Sequence, residues 1–344
     1  MAIGHLLGSF PRCRERGYWA MPTAPASPSL PTGLTAADVA RITAAVAAGR
    51  APATRAVYAV AWRAWTRWCA GRDLPPVPAS PHLVCAYLTE RAETGASMST
   101  LELACAAIGA HHRARDLADP IRDDTVRQVR RGLRRTVGTA ARRPAHALDL
   151  IEIGTIVDAI DHSRRASARD RALILLGFAS ALRPGELAAL TLADLEPHPA
   201  GLLLHVRRSK SDQEARGQVI AVAPGHHRAT CPLAALDAWL HQRGTAPGPV
   251  FTALRNLRLP TGDPISATAA SKIVTRRARA AGLPAPHITG HSLRAGHATT
   301  AAAAGVPLDR IAAQTRHRHL KVLIEHYIRP MEALAITTSR DLGL

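Results

Sequence analysis

The sequence lacks paired cysteines, long apolar runs and any surplus of acid, and each absence narrows what the chain can be. Its five cysteines (Cys13, Cys69, Cys85, Cys105 and Cys231) are scattered with no CxxC pair. That excludes the spacing of a zinc finger or a disulfide framework and fits a reducing cytosol. No apolar stretch approaches the roughly 18 residues that a membrane-spanning helix needs. The N-terminal GHLLGSF is too short for the apolar segment of a signal peptide and runs into RCRER, so the protein is expected to be neither secreted nor membrane-spanning. Acidic residues number 26 against 44 lysines and arginines, a formal net charge of +18, so a polyanion is the expected partner. Lysine is scarce as well, and Lys210, Lys272 and Lys321 account for all of it. The excess of positive charge bears on the partner; the preference for arginine does not.

At 344 residues the chain is long enough for two domains, each with its own core. Residues 1–33 read as an unstructured leader, because PTAPASPSLPTG is rich in proline and poor in apolar residues; Met21 is an alternative start. Residues 34–137 read as four or five helices. Ser80 with Pro81 marks one helix start, and Ser99 with Glu102 reads as a capping box at another. Between about Thr54 and Ala70, Tyr58, Trp62, Trp65 and Cys69 fall on one helical stripe and Arg55, Arg63 and Arg67 on another. The first stripe reads as core, the second as contacts to DNA phosphate or a solvated face. From Thr125 to Val137, Arg127, Arg130, Arg131, Arg134 and Arg135 recur at i, i+3, i+4, i+7 and i+8 and share one face. Like charges so placed repel, so an anion is expected there, with a solvated face as the plain alternative.

Residues 138–148, including GTAARRPAHALD up to its aspartate, read as a linker, and residues 149–344 as a second domain with a C-terminal tail. This domain opens on helical patterns, and GLLLHVRRSKSDQEARGQVIAV then reads as a β-hairpin formed by Leu202 to Val206 and Val219 to Val222. Six of its residues carry chemistry: Arg183, Lys210, His291, Arg294, His317 and Tyr327. Two guanidinium forks can each bind two oxygens of a phosphodiester and stabilise a pentacoordinate phosphorus. A lysine at a hairpin tip can give a proton to a departing alkoxide, and histidines titrate in the range that accepts or shares one. The chain has four tyrosines, and Tyr18, Tyr58 and Tyr87 all precede residue 90, which leaves Tyr327 as the single phenol of the second domain.

These strings resemble the tyrosine recombinase (phage integrase) family. ALRPGEL (181–187) resembles its first arginine motif, SKSDQEARGQ its hairpin lysine segment, HSLRAGHATT (291–300) its HxLR box, and TRHRHLKVLIEHYIRP its closing segment. ATRAVYAVAWRAWTRWCA and SPHLVCAYL are similar to its helical core-binding domain, so the likeness runs over about residues 34–331. Arg, Lys, HxLR, His and Tyr in this order are far more specific than HxLR alone. There are departures: Arg316 stands where the family usually has glycine, and His317 lies ten residues before Tyr327 where nine is usual, so His319 is a rival for its role.

The resemblance implies a mostly α fold with a small β-sheet, a helical core-binding (SAM-like) domain followed by an α+β catalytic domain, closing as a C-shaped clamp around double-stranded DNA. It implies that Tyr327 forms a 3′-phosphotyrosine link while Arg183 and Arg294 hold the phosphate, His291 manages the phenol proton, Lys210 protonates the leaving 5′-oxygen and His317 hydrogen-bonds the phosphate. Glu186 supports the arginine. No metal, ATP or other cofactor is expected. A homotetramer on two recombination sites is implied, with room for an accessory DNA-bending protein and a cytoplasmic, nucleoid-associated location in a prokaryote or phage host. The tail residues Met331, Leu334, Ala335 and Ile336 are candidates to dock on a neighbouring protomer or on their own domain. The rivals are a type IB topoisomerase, a catalytically inactive DNA-binding relative, and a metal enzyme built on His291, His297, His317 and His319.

Overall fold

In the computed structural model, which describes residues 35–49, 52–139, 145–161, 164–207, 217–257, 259–284, 287–317, 320–324 and 342, several helices begin where side chains offer caps. The chain divides into two compact units, Met1–Ala140 and Ala141–Leu344. In the first, the helices are α1 (Ala36–Ala48), α2 (Pro52–Ala70), α3 (Pro81–Glu93), α4 (Met98–Arg113) and α5 (Asp124–Val137). Ser80 caps α3 by accepting from the Leu83 amide, with Pro81 in the first turn where its missing N–H costs nothing. The cap of α4 is Ser97, which accepts from Thr100, two residues before the expected Ser99. Glu102 is therefore not a capping residue, and it is used elsewhere.

Trp65 and Cys69 are fully buried and pack with Tyr87, Leu88, Leu101, Cys105, Ile108 and Val126 into the core of this unit. Each such side chain stabilises the fold by roughly 1.5–3 kcal/mol. The Trp65 indole donates to the Pro76 carbonyl at 3.0 Å, so the ring is buried without stranding its N–H. Trp62, on the same stripe, is partly buried and stacks on His111 with ring centroids 3.7 Å apart. Arg55, Arg63 and Arg67 are exposed, as the second stripe requires.

The second unit is built around α7 (Arg165–Ser180), whose Leu173, Ile174 and Leu176 are fully buried. The other helices are α6 (Leu150–Asp158), α8 (Pro184–Ala189), α9 (Pro232–Arg243), α10 (Ala267–Ala280), α11 (His291–Ala303), α12 (Leu308–Thr315) and α13 (Leu320–Leu323). Asp149 and Glu152 close a reciprocal capping box on α6 at 2.8 and 3.0 Å. The expected hairpin is present as β2 (Gly201–Val206) and β3 (Gln218–Val222), joined by β1 (Leu195–His198) into an antiparallel sheet of order β1-β2-β3. Leu204 pairs with Leu195 on one side and Ile220 on the other, and burial alternates along β2, so one face feeds the core. A second, two-stranded sheet of β4 (Thr252–Arg255) and β5 (Leu259–Pro264) was not expected, because LRNLRLPTGDP has turn residues and little apolar alternation.

Residues 145–148, within the stretch read as linker, pack in the second unit: the His146 and Leu148 amides donate to the His287 and Ser292 carbonyls, each at 3.3 Å. Gly296 makes room for this crossing of α11, since a Cβ there would sit 1.8 Å from the Leu148 carbonyl oxygen. The leader, Met21, Lys210, His319, Tyr327 and the tail residues Met331, Leu334, Ala335 and Ile336 lie outside the described residues. Among the described residues no helix is long and apolar enough to cross a membrane. Replacing Gly296 by Ala is expected to destabilise the second unit by roughly 3 kcal/mol, the upper range for overpacking. A urea melt with an unchanged midpoint would show that residues 145–148 do not hold to α11.

Candidate active site

Two close approaches bring the start of α11 against the start of α8. Gly290 precedes α11, and a Cβ on it would lie 2.7 Å from Pro184 Cγ; its amide donates to Ser271 Oγ of α10 at 2.9 Å. Between α7 and α8, Ala181 is left-handed at φ 51°. That reversal makes Arg183 the cap residue of α8 with Pro184 in its first turn.

Arg294, one turn into α11, is 2% exposed. Its Nη1 donates to the Ala181 carbonyl at 2.8 Å, two residues before Arg183, and its Nη2 lies 3.3 Å from His317 Nε2. His317 follows α12, and its Nδ1 is 2.8 Å from Thr315 Oγ1. The Thr315 hydroxyl is also 2.6 Å from the Ile311 carbonyl. A carbonyl only accepts, so the hydroxyl donates its single proton there and accepts from Nδ1–H, which leaves Nε2 as an acceptor facing Arg294. His317 therefore reaches the arginine cluster. Gln314 anchors the same turn, its Nε2 donating to the Ala179 carbonyl of α7 at 3.1 Å and the Ala221 carbonyl of β3 at 3.2 Å.

Glu186 is the carboxylate of the cluster. Its Oε1 accepts from Arg183 Nη1 at 2.7 Å and its Oε2 from the Arg183 amide at 2.8 Å; Oε2 also accepts from Arg316 Nη2. Burial alone would push this carboxyl up, but the Arg316 charge and the bonds from Arg183 outweigh it and hold it below the usual carboxylate range. Arg316 is itself buried and left-handed at φ 55°, a conformation that costs a residue with a Cβ roughly 1–2 kcal/mol. Sequence reasoning marked Arg316 as a departure but gave it no role; the usual glycine at that position was the signal of a left-handed turn.

His291 is exposed on the first turn of α11, three residues before Arg294 and so on the same face. Arg183, Glu186, Arg294, His317 and Arg316 thus form one connected cluster, with His291 at the head of the helix that carries Arg294. Lys210 and Tyr327, and the rival His319, lie outside the described residues, although β2 and β3 on either side of Lys210 are described. His297 packs edge-on against Phe178 at 6.0 Å. Burial, aided by the Arg294 charge, pushes its imidazole below the ordinary range against a hydrogen bond to the Phe178 backbone. Among the described residues no three His, Cys, Asp or Glu side chains group to hold a metal ion.

The basic face of α5 is partly paired with carboxylates of its own unit. Arg130 and Arg134 both bind Glu102 of α4, and Arg127 binds Asp124 one turn away. Arg130 and Arg134 share Glu102 because it lies opposite an i,i+4 pair, whereas Arg127 and Asp124 form an exposed surface pair. Arg127, Arg131, Arg134 and Arg135 are exposed and make up the outward part of the face.

Residues 147–333 match the profile of the Phage integrase family. The integrase/recombinase XerD homolog of Selenomonas ruminantium is 31% identical over 255 residues, 73% of this chain and 74% of its own length. A lambda integrase tetramer bound to a Holliday junction is similar in fold, with a TM-score of 0.58 at 18% identity over 84% of this chain and 75% of that one. XerH recombinase in a post-cleavage complex with a palindromic difH substrate gives 0.56 at 17% identity over 75% and 72%. The chain belongs to the phage integrase family, the tyrosine-type site-specific DNA recombinases.

Replacing Thr315 by Val keeps the shape but removes the acceptor that fixes the His317 tautomer. DNA cleavage is expected to fall about tenfold, the equivalent of one hydrogen bond, while duplex affinity holds. An unchanged single-turnover rate would separate Thr315 from the chemistry.

Proposed function

We propose that this recombinase cuts DNA by attack of Tyr327 on a scissile phosphate, forming a 3′-phosphotyrosine link. The observation that carries the reading is the hydrogen bond from Arg294 to the carbonyl of Ala181. It ties a guanidinium of α11 to the turn that presents Arg183, so both forks can meet one phosphodiester. As the phosphorus becomes pentacoordinate, Arg183 and Arg294 stabilise the added negative charge. His291 takes the proton of the Tyr327 hydroxyl while the new P–O bond forms. Lys210 gives a proton to O5′ while the old bond breaks, and His317, once protonated, donates Nε2–H to a phosphate oxygen.

One phosphate ester is exchanged for another of similar energy, so the step is reversible and needs neither ATP nor a metal. The 5′-hydroxyl of a partner strand attacks the phosphotyrosine and returns the proton to the phenolate. Full recombination takes four such cleavages, hence a homotetramer on two sites in duplex DNA, with an accessory DNA-bending protein where the sites need it. Its workplace is the nucleoid of a prokaryote or phage host. Phosphate contacts come from Arg55, Arg63 and Arg67 of α2 and from Arg127, Arg130, Arg131, Arg134 and Arg135 of α5, which makes affinity depend steeply on salt.

Nicked suicide duplexes tiled from the flanks of the gene test the chemistry. The wild type is expected to form a covalent adduct that survives denaturant and chelator, and Tyr327→Phe to form none; an adduct that persists in Tyr327→Phe would remove the phenol from the mechanism. Arg131→Gln with Arg135→Gln is expected to lower the log–log salt slope of duplex binding by about two while leaving site preference as it was. A slope equal to the wild type's would place that face away from DNA.

A further inference from the structure

The turn from Thr315 to His317 touches both arginines of the cluster by separate routes. His317 faces Arg294, and Arg316 reaches Glu186, whose other oxygen holds Arg183. The second route is the unusual one. A helix commonly ends on a left-handed glycine, which has no Cβ to crowd and nothing to bury. Here the position carries the longest cationic side chain, 7% exposed, in the same left-handed conformation. Of its three guanidinium nitrogens only Nη2 has a partner among the described residues, and Nε and Nη1 are buried without one there. Burying so long a cation at a helix end is costly, and the contact it makes there is the one to account for.

Among the described residues, Arg316 bonds to the carboxylate that also holds Arg183. Glu186 Oε1 takes the Arg183 guanidinium, and Oε2 takes the Arg183 amide and Arg316. A buried carboxylate between two guanidinium groups stays ionised and cannot turn toward either without losing the other. We infer that Arg316 is a positioning residue for strand cleavage: it clamps Glu186 from behind and thereby fixes the fork that Arg183 presents to the scissile phosphate. This rests on the recombinase chemistry proposed above and adds a residue to it. In place of the glycine usual in the family, the last turn before the histidine supplies a second hold on the phosphate-binding arginine.

The charged groups acting on the Glu186 carboxylate, among the described residues, are Arg183 at the start of its own helix and Arg316 from the turn after α12. Removing Arg316 leaves burial opposed by Arg183 alone, so the carboxyl protonates at higher pH than in the wild type and releases Arg183 when it does. The loss is therefore largest on the acid side.

The test is single-turnover adduct formation by the full chain on the nicked duplexes, from about pH 5.5 to about pH 8. Arg316→Gly puts the residue that the left-handed turn favours at the position, so the fold is expected to hold. Cleavage is expected to slow about a hundredfold, the scale of misplacing a reacting group by an ångström, with duplex affinity unchanged and a steeper fall toward acid than the wild type. Arg316→Lys restores a charge opposite Glu186 and is expected to recover most of the rate and the wild-type pH profile. Arg316→Gln keeps the bulk without the charge and should behave as Arg316→Gly does, which carries the test if the glycine variant is unstable. A wild-type rate in Arg316→Gly or Arg316→Gln would overturn the assignment. So would a slower rate that parallels the wild type across pH and is not rescued by lysine, since that is the mark of a merely structural residue. If the wild type forms no adduct while Tyr327→Phe gives the same blank, the recombinase chemistry itself fails, a result distinct from any behaviour of Arg316.

Discussion

A guanidinium group cannot shed its charge at neutral pH, so burying one is costly unless acceptors meet it. Arg294 is almost fully enclosed, and the structure answers with the Ala181 carbonyl and the His317 imidazole. Each of those acceptors has its own requirement. Ala181 can turn its carbonyl inward because it is left-handed, and that same reversal presents Arg183 at the head of α8. His317 can accept through Nε2 because Thr315 holds Nδ1–H. One permanent charge thus organises the ends of α7 and α12 and the start of α8 around the second turn of α11.

The cluster was legible in the sequence to the extent that its members come in a set order. No single arginine or histidine stands out among so many, and Arg183, His291, Arg294 and His317 were legible as part of an ordered set that resembles the motifs of one family. What joins them was not legible. The acceptor for Arg294 is a backbone carbonyl, and backbone groups leave no trace in a residue string. Thr315 is one threonine among several, and the partner of Arg316 lies 130 residues away. Among the folds, the stripe of Trp65 and Cys69, the Ser80 cap and the hairpin over Gly201–Val206 and Gln218–Val222 followed from period and capping chemistry. The cap at Ser97 was misplaced by two residues because serine, serine and threonine at 97, 99 and 100 offer nearly equal caps, and Glu102 three residues on from Ser99 completes a pattern that the fold spends on Arg130 and Arg134 instead.

That use of Glu102 changes how the first unit meets a polyanion. A row of five arginines on one helix would repel itself; with Glu102 and Asp124 bound to three of them, α5 carries its charge in the folded state without waiting for a ligand. Beside Arg127 and Arg134, which are exposed as well, Arg131 and Arg135 are an exposed pair one helical turn apart. Their spacing suits neighbouring phosphates better than a diffuse cloud of charge, and the buried Val126 on the opposite face keeps the pair's orientation.

Gln314 sets a rule for how this scaffold can vary. One side-chain amide is shared between a carbonyl of α7 and a carbonyl of β3, so the strand's position along its length is locked to the histidine turn. Sliding β3 by one residue would replace an inward carbonyl by an outward one and exchange the sheet's faces. Adding or deleting residues between β2 and β3 would leave that lock untouched. Strand register is therefore a variable that cannot drift while the histidine turn keeps its place.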